Sequence, residues 1–273
     1  MFRSFVRNRT AVVGLTLVVL FLATSATGRL LAPQDPQKQH LERALMPPGS
    51  QNLLGTDHLG RDVLSRLLYA SRTSLIIGLG VVSFGLLIGT VIGLTMGFFG
   101  GRLDTLAMRV VDVLLSFPDI LLALAIASTI GTGLGNVILA VGIASMPIYA
   151  RVVRSSVLRL CNQEFITSAR TIGAKPIRIM LLHLLPNCLG PLIVQVTLRF
   201  ADAIIIASGL SFLGLGVPQS IPEWGAMLAD GRVYLRSASW VALFPGLSLM
   251  LVVLGFNLMG DGLRDALDPR LRT

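Results

Sequence analysis

Apolar residues gather into six runs along this chain, near residues 11–31, 75–99, 105–130, 134–150, 189–216 and 238–260, with polar stretches between them. A helix needs roughly 20 apolar residues to cross the hydrocarbon of a bilayer. The pattern therefore predicts an all-α membrane protein with six transmembrane helices, of which the short run at 134–150 is the weakest. Two polar stretches interrupt the rhythm. Residues 33–72 open with Pro33, Pro36, Pro47 and Pro48, which favour extended and turn structure. They close with Val63, Leu64, Leu67 and Leu68 interleaved with Arg61, Arg66 and Arg72, the pattern of a helix lying flat on the bilayer surface. The second stretch, Glu164 to Asn187, is a basic helix-turn-helix between two apolar spans, too polar for hydrocarbon and so placed in water.

The punctuation of that hairpin reads residue by residue. Asn162 is suited to cap a first helix, and Glu164 in its first turn faces the positive end of the helix dipole. Gly173 sits where a helix ends in a left-handed residue, which glycine adopts without steric cost. Pro176 restarts the chain at a first helical position. Ile177, Met180, Leu181 and Leu184 continue with helical spacing, and Pro186 is expected to close the second helix.

These residues resemble the EAA loop of the permease subunits of ABC importers, whose pattern is Glu-Ala-Ala, three residues, Gly, nine residues, Ile-x-Leu-Pro. Ala169, Gly173, Leu185 and Pro186 match it in register, while Thr167, Ser168 and His183 depart from it. The departures resemble the peptide and nickel branch, in which Glu164-Phe165-Ile166, Ala169-Arg170, Gly173-Ala174 and His183 to Asn187 recur. Further stretches extend the likeness to the second permease of dipeptide, oligopeptide and nickel importers: Gly55 to Asp62, Ser116 to Ala123, Ser211 to Val217, Pro222 to Gly225 and Phe256 to Leu271.

The resemblance implies the fold of the methionine and peptide permeases. Residues 1–32 would form a cytoplasmic tail and first span, 33–72 an extracytoplasmic segment with an interfacial helix, 73–262 the core permease with the coupling hairpin at 151–188, and 263–273 a cytoplasmic tail. It implies a homologous second permease, two cytoplasmic ATPases and an extracytoplasmic binding protein as partners, in a bacterial cytoplasmic membrane. ATP and Mg would be used by the ATPases, with no cofactor bound by this chain. Glu164, Ala169, Arg170, Gly173, Ala174, His183, Leu185 and Pro186 would couple to the ATPases.

Composition agrees with a bilayer protein: 53% of residues are hydrophobic and 14% charged, and mean hydropathy is +0.76. The net charge of +9 is spread along the chain and forms no basic domain, which argues against nucleic acid as a partner. In a six-span arrangement Arg3, Arg7 and Arg9, the Arg102 and Arg109 loop, the hairpin and the tail share one side, the cytoplasm by the positive-inside rule, with both termini there. The other side still carries Arg29, Lys38, Arg43, Arg61, Arg66, Arg72, Arg232 and Arg236, so the bias is moderate. The first span mimics a signal peptide but continues to Leu31, and no cleavage is expected. Cys161 and Cys188 lack metal or redox spacing and read as reduced thiols.

Some residues within or near the spans carry a chemical cost. Gly85, Gly89, Gly93 and Gly97 recur every four residues, either as intramolecular packing or as a seam against a partner. Asp119, Arg199 and Asp202 are charges at membrane depth, with Arg199 and Asp202 three apart and able to pair. They read as structural pairing or as lining of a translocation path. Asp112 lies near a span as well, and Gly209, Gly214, Gly216 and Pro218 predict a break after the fifth span. His40, His58 and His183 are scattered and make a poor metal set. No GxxxxGK[ST] loop is present, Lys38 and Lys175 being the only lysines, nor is HExxH, so no enzyme is indicated. A self-sufficient secondary transporter is the alternative, and a non-transport scaffold a third reading. Neither calls for an ordered polar hairpin.

Overall fold

The computed structural model describes residues 8–267. Its helices are α1 (Arg9–Leu31), α2 (Val63–Phe99), α3 (Gly101–Leu115), α4 (Asp119–Ile130), α5 (Leu134–Cys161), α6 (Glu164–Thr171), α7 (Pro176–Phe212), α8 (Trp224–Gly231) and α9 (Trp240–Leu267). Five of them, α1, α2, α5, α7 and α9, are long and apolar enough to cross a membrane, and α3 with α4 makes a sixth crossing only as a pair bent by 94°.

The weak point is therefore the third run and not the run at 134–150. Pro118 lacks an N–H and drives Phe117 out of helical geometry, so the third run breaks at Ser116-Phe117-Pro118. The run at 134–150 is the front of a helix of 28 residues.

The surface helix expected before the second span is absent as a separate element. Val63 to Phe99 is one helix of 37 residues, started by Asp62, whose carboxylate accepts from the Ser65 N–H at 2.8 Å. Arg66 is 1% exposed because its Nε stands 3.7 Å from Asp57 Oδ2, with Arg61 Nε 2.6 Å from the same oxygen and Arg61 Nη2 3.9 Å from Asp230. These arginines are structural members of a cap folded over one end of the bundle. Gly60 in that cap, at φ +70°, would put a Cβ 1.8 Å from the His40 carbonyl oxygen, so no larger residue fits. Trp240 and Trp224 tie the cap down by donating Nε1–H to the Thr56 carbonyl (3.1 Å) and the Leu67 carbonyl (3.2 Å).

Two boundaries in the hairpin also differ from expectation. Asn162 caps no helix: it ends α5 and its Nδ2 donates to the Leu158 carbonyl at 3.3 Å, while Gln163 stands at the start of α6. Pro186 does not end the second helix. The chain runs from Pro176 to Phe212 without a stop, because residues Ile179–Leu184 form a π turn. Its widened backbone tolerates the missing N–H of Pro186 and the bulk of its ring. After the fifth span the helix does break: Gly214 at φ +84° closes α7 with Leu215 N–H to the Leu210 carbonyl at 2.9 Å. The last helix continues past Gly262 to Leu267, and the remainder of the tail lies outside the described residues.

The core joins α1, α2, α5, α7 and α9, with Phe21, Phe200, Phe256 and Trp224 packed ring to ring at 4.1–6.5 Å. The four regularly spaced glycines of α2 all face α5 of the same chain. A Cβ at Gly89 would stand 2.6 Å from Tyr149 Cβ, and one at Gly93 2.4 Å from the Ala150 carbonyl oxygen. Without side chains, the two backbones approach closely over a long stretch.

Candidate functional site: the coupling helix and a charged cluster

The polar hairpin reduces to one short helix, α6, held between the ends of α5 and α7. Its closure is a Schellman motif: Ala174 N–H donates to the Ala169 carbonyl (3.1 Å) and Gly173 N–H to the Arg170 carbonyl (3.0 Å), with Gly173 at φ +78°. Ala169 and Ala174 are the two residues whose side chains meet across such a closure, so the family positions Ala169, Gly173 and Ala174 have one shared geometric cause. Lys175 then precedes Pro176, which starts α7 at its first position.

The helix has two faces. Ile166 and Ala169 are buried in a cluster with Leu94 of α2, Val153 and Val157 of α5, and Ile179, Met180 and Leu184 of α7. Arg170 lies 5.2 Å over the Phe98 ring, a cation–π contact that anchors its side chain beside α2. The opposite face presents Glu164, Thr167, Ser168 and Thr171 to solvent, flanked by Phe165 at 39% and Ile172 at 83% exposure. Two large apolar side chains, Phe165 and Ile172, thus stand out on this polar face.

The root of α7 holds the remaining motif residues. His183 and Leu185 are half-buried, and Pro186 is exposed. Leu185 N–H reaches back five residues to the Met180 carbonyl, the bond that defines the π turn, and Asn187 Nδ2 donates to the His183 carbonyl at 2.6 Å.

The second assembly sits deeper. Arg199 Nη1 on α7 is 3.0 Å from Asp119 Oδ2 at the start of α4 and 3.2 Å from Asp202 Oδ2 one turn along α7. The structure thus brings all three charged residues together, where sequence spacing suggested only the Arg199–Asp202 pair. Sequence reasoning missed two further links. Arg154 grips Asp104 through two bonds of 2.6 Å, and Arg151 reaches Asp112 at 2.5 Å, tying α5 to the amphipathic α3. Complementary charge on Asp104/Asp112 and Arg151/Arg154 was the available signal. The histidines are not gathered: His40 pairs with Glu42 and His58 stacks on Tyr234 at 5.6 Å.

Residues 89–273 match the family described as binding-protein-dependent transport system inner membrane component. Residues 1–48 match the N-terminal transmembrane domain of oligopeptide transport permease C. Among similar proteins, the dipeptide transport system permease protein DppC of Alkalihalophilus pseudofirmus is 44% identical over 272 residues, spanning 100% of this chain and 90% of that protein. DppC of Escherichia coli K12 is 47% identical over 274 residues, 98% of this chain and 91% of the relative. The glutathione transport system permease protein GsiD of Pectobacterium atrosepticum is 43% identical over 272 residues, 99% and 90% of the two chains. A solved structure of the MetNI methionine ABC transporter, in an inward-facing conformation, superposes with a TM-score of 0.60 over 74% of this chain and 96% of that one, at 20% identity, which shows the shared fold. The family match and the transport-permease relatives set aside the secondary-transporter reading. The chain belongs to the family of binding-protein-dependent transport system inner membrane components, and is a multi-pass permease subunit of an ABC importer and not an enzyme.

Proposed function

We propose that this chain forms one half of a translocation path for peptides, the solutes named in its DppC relatives, together with a homologous permease. In this reading α6 docks on a cytoplasmic ATPase, the cap over the opposite end meets an extracytoplasmic binding protein, and ATP and Mg stay with the ATPases. The hairpin and both termini lie in the cytoplasm and residues 33–72 outside, in a bacterial cytoplasmic membrane. Glu164, Ala169, Arg170, Gly173, Ala174, His183, Leu185 and Pro186 form or brace the coupling element, and Asp119, Arg199 and Asp202 line the path.

The observation that carries the reading is the two-faced α6. Its inner face is fixed to three long helices through Ile166 and Ala169, while Phe165 and Ile172 stand out on the solvent side. A force on α6 passes into α5 directly and from α5 into α3 through Arg151 and Arg154. An ATPase dimer that closes on ATP can therefore rock the membrane helices as packed units.

The test is Ile172→Glu in the chain co-expressed with its partner permease and ATPases. Ile172 is 83% exposed, so the substitution leaves folding within about 0.5 kcal/mol. Insertion and permease pairing are expected to persist while ATPase co-purification and transport-linked hydrolysis fall by about tenfold or more. Unchanged co-purification and hydrolysis would overturn the assignment of α6.

A further inference from the structure

We infer that the Arg199–Asp119–Asp202 cluster is a cation subsite in the path, built to receive the free ammonium group of the transported solute. The inference rests on the proposed path reading and deepens it.

One guanidinium faces two carboxylates, so the cluster carries a formal charge of −1. A structural ion pair at membrane depth needs one acid for one base. A second carboxylate adds desolvation cost that nothing in the pair repays. Asp202 is not sealed away, since its side chain is 46% exposed in this chain. A charge left open at this depth belongs against a water-filled cavity and not against lipid. An anion, by contrast, finds Arg199 already shared between two acids.

The hydrogen-bonding groups point the same way. Arg199 engages Oδ2 of each aspartate, which leaves Asp119 Oδ1 and Asp202 Oδ1 without a protein donor among the described residues. A third group lies on α5. The Tyr149 side chain is 0% exposed, its hydroxyl has no hydrogen-bond partner, and the charges that act on it are those of Arg199 and Asp202. A buried hydroxyl without a partner is costly and calls for an explanation. Two helices thus contribute two open carboxylate oxygens as acceptors, while the Tyr149 hydroxyl on a third is buried and still unpartnered, and an alkylammonium has three N–H donors. A peptide amino terminus is such a group.

The experiment uses the complete importer in proteoliposomes. Gln195 lies one turn before Arg199 and two turns before Asp202 on the same face of α7, and is half-buried. Gln195→Cys, in a background carrying Cys161→Ser and Cys188→Ala, is reacted with a cationic aminoethyl and an anionic sulfonatoethyl methanethiosulfonate, each rate normalised to a free thiol. The cationic reagent is expected to react about tenfold faster, and Asp202→Asn to bring the ratio near one, with Asp202→Glu restoring it. A dipeptide with a free amino terminus, at millimolar concentration, should slow the cationic reaction, and its N-acetyl form should not. Equal rates, faster anionic reaction, no reaction by either reagent, or a ratio indifferent to Asp202→Asn would overturn the inference. ATPase co-purification and hydrolysis in the same preparation report separately on the importer reading, so the two failures are distinguishable.

Discussion

Gly93→Ala is the sharpest probe of how the bundle is built. A Cβ at Gly93 would lie 2.4 Å from the Ala150 carbonyl oxygen, 2.8 Å from Val153 Cβ and 3.0 Å from Arg154 N, where ordinary contact begins at 3.4 Å. The first and third are backbone atoms and cannot rotate aside, so α2 and α5 must separate by roughly 1 Å, an overpacking that costs about 1–3 kcal/mol. Alanine regains about 0.5–1 kcal/mol of helix propensity, leaving a net loss of about 2 kcal/mol at the tight end. At roughly 2–4 °C per kcal/mol for a chain of this size, the melting temperature should fall by about 4–8 °C. Gly97→Ala is the control. Its neighbours stand farther off, Val157 Cβ and Cγ1 at 3.0 Å and the Arg154 carbonyl oxygen at 3.3 Å, so a shift of a few tenths of an ångström suffices and the propensity gain offsets the crowding. The assay is thermal unfolding of the purified chain in detergent, followed by gel-filtration elution, with pairing to the partner permease measured in parallel. A Gly93→Ala protein that melts as wild type yet fails to pair would refute the intramolecular seam and return the glycines to an intersubunit surface.

Three other outcomes follow from the geometry. Gly173 at φ +78° has open space within 4 Å of the point where a Cβ would stand, so its constraint is purely of the backbone: Gly173→Val should lose ATPase coupling at an unfavourable cost of about 1–2 kcal/mol, and Gly173→Asn should keep most of it, as read from ATP hydrolysis stimulated by loaded binding protein. Glu223 is 1% exposed and burial pushes its carboxyl above the ordinary carboxylate range, against hydrogen bonds from Gly225, Ala226, Ser211 and Ser208. The folded protein then holds a proton that the unfolded chain has released, so stability falls as pH rises from the ordinary carboxylate value to the raised one, and Glu223→Gln should flatten that slope in melting curves taken across pH. Single cysteines at Ser50 and Ala174, in a background lacking Cys161 and Cys188, should differ in whole cells: an impermeant thiol reagent labels the first and spares the second, and labelling at 174 from outside would invert the topology.

How far the fold could be read from the chain depends on how local its causes are. The five long helices and the Gly173 closure rest on patterns within one or two turns, and these were visible. The break after α3 was written in Ser116-Phe117-Pro118 but outweighed by the apolar residues around it. The run at 134–150 looked weak because it is short, Arg151 and Arg154 cutting it off, and their partners Asp112 and Asp104 come from another helix. Arg66 looked like a surface residue for the same reason, its acid lying in the folded cap. Pro186 is a local stop signal that tertiary packing overrides: Leu184 and Cys188 on either side are buried in the cluster beneath α6, and the π turn lets the helix pass. Asp119 completes the charged cluster only because the bend at Pro118 delivers the start of α4 to the side of α7.

That π turn has a mechanical consequence, since it lies between α6 and the charged cluster. Arg199 is 13 residues beyond Pro186 along α7, about 20 Å at 1.5 Å per residue. A rigid tilt of about 10° at the widened turn therefore moves Arg199 by about 3 Å, by the same helix geometry. Its contacts to Asp119 and Asp202 are 3.0 and 3.2 Å long, and Asp119 belongs to a different helix, so a tilt of that size opens the Arg199–Asp119 contact. The Arg199–Asp202 contact lies within α7 and travels with it. Opening the first contact frees a carboxylate of α4, while the second keeps the guanidinium neutralised, so the cluster changes its exposed charge without ever leaving Arg199 bare at membrane depth. On the proposed coupling and path reading, a helix that is continuous in sequence and loosened at one turn converts a push at the hairpin into a change of charge in the path.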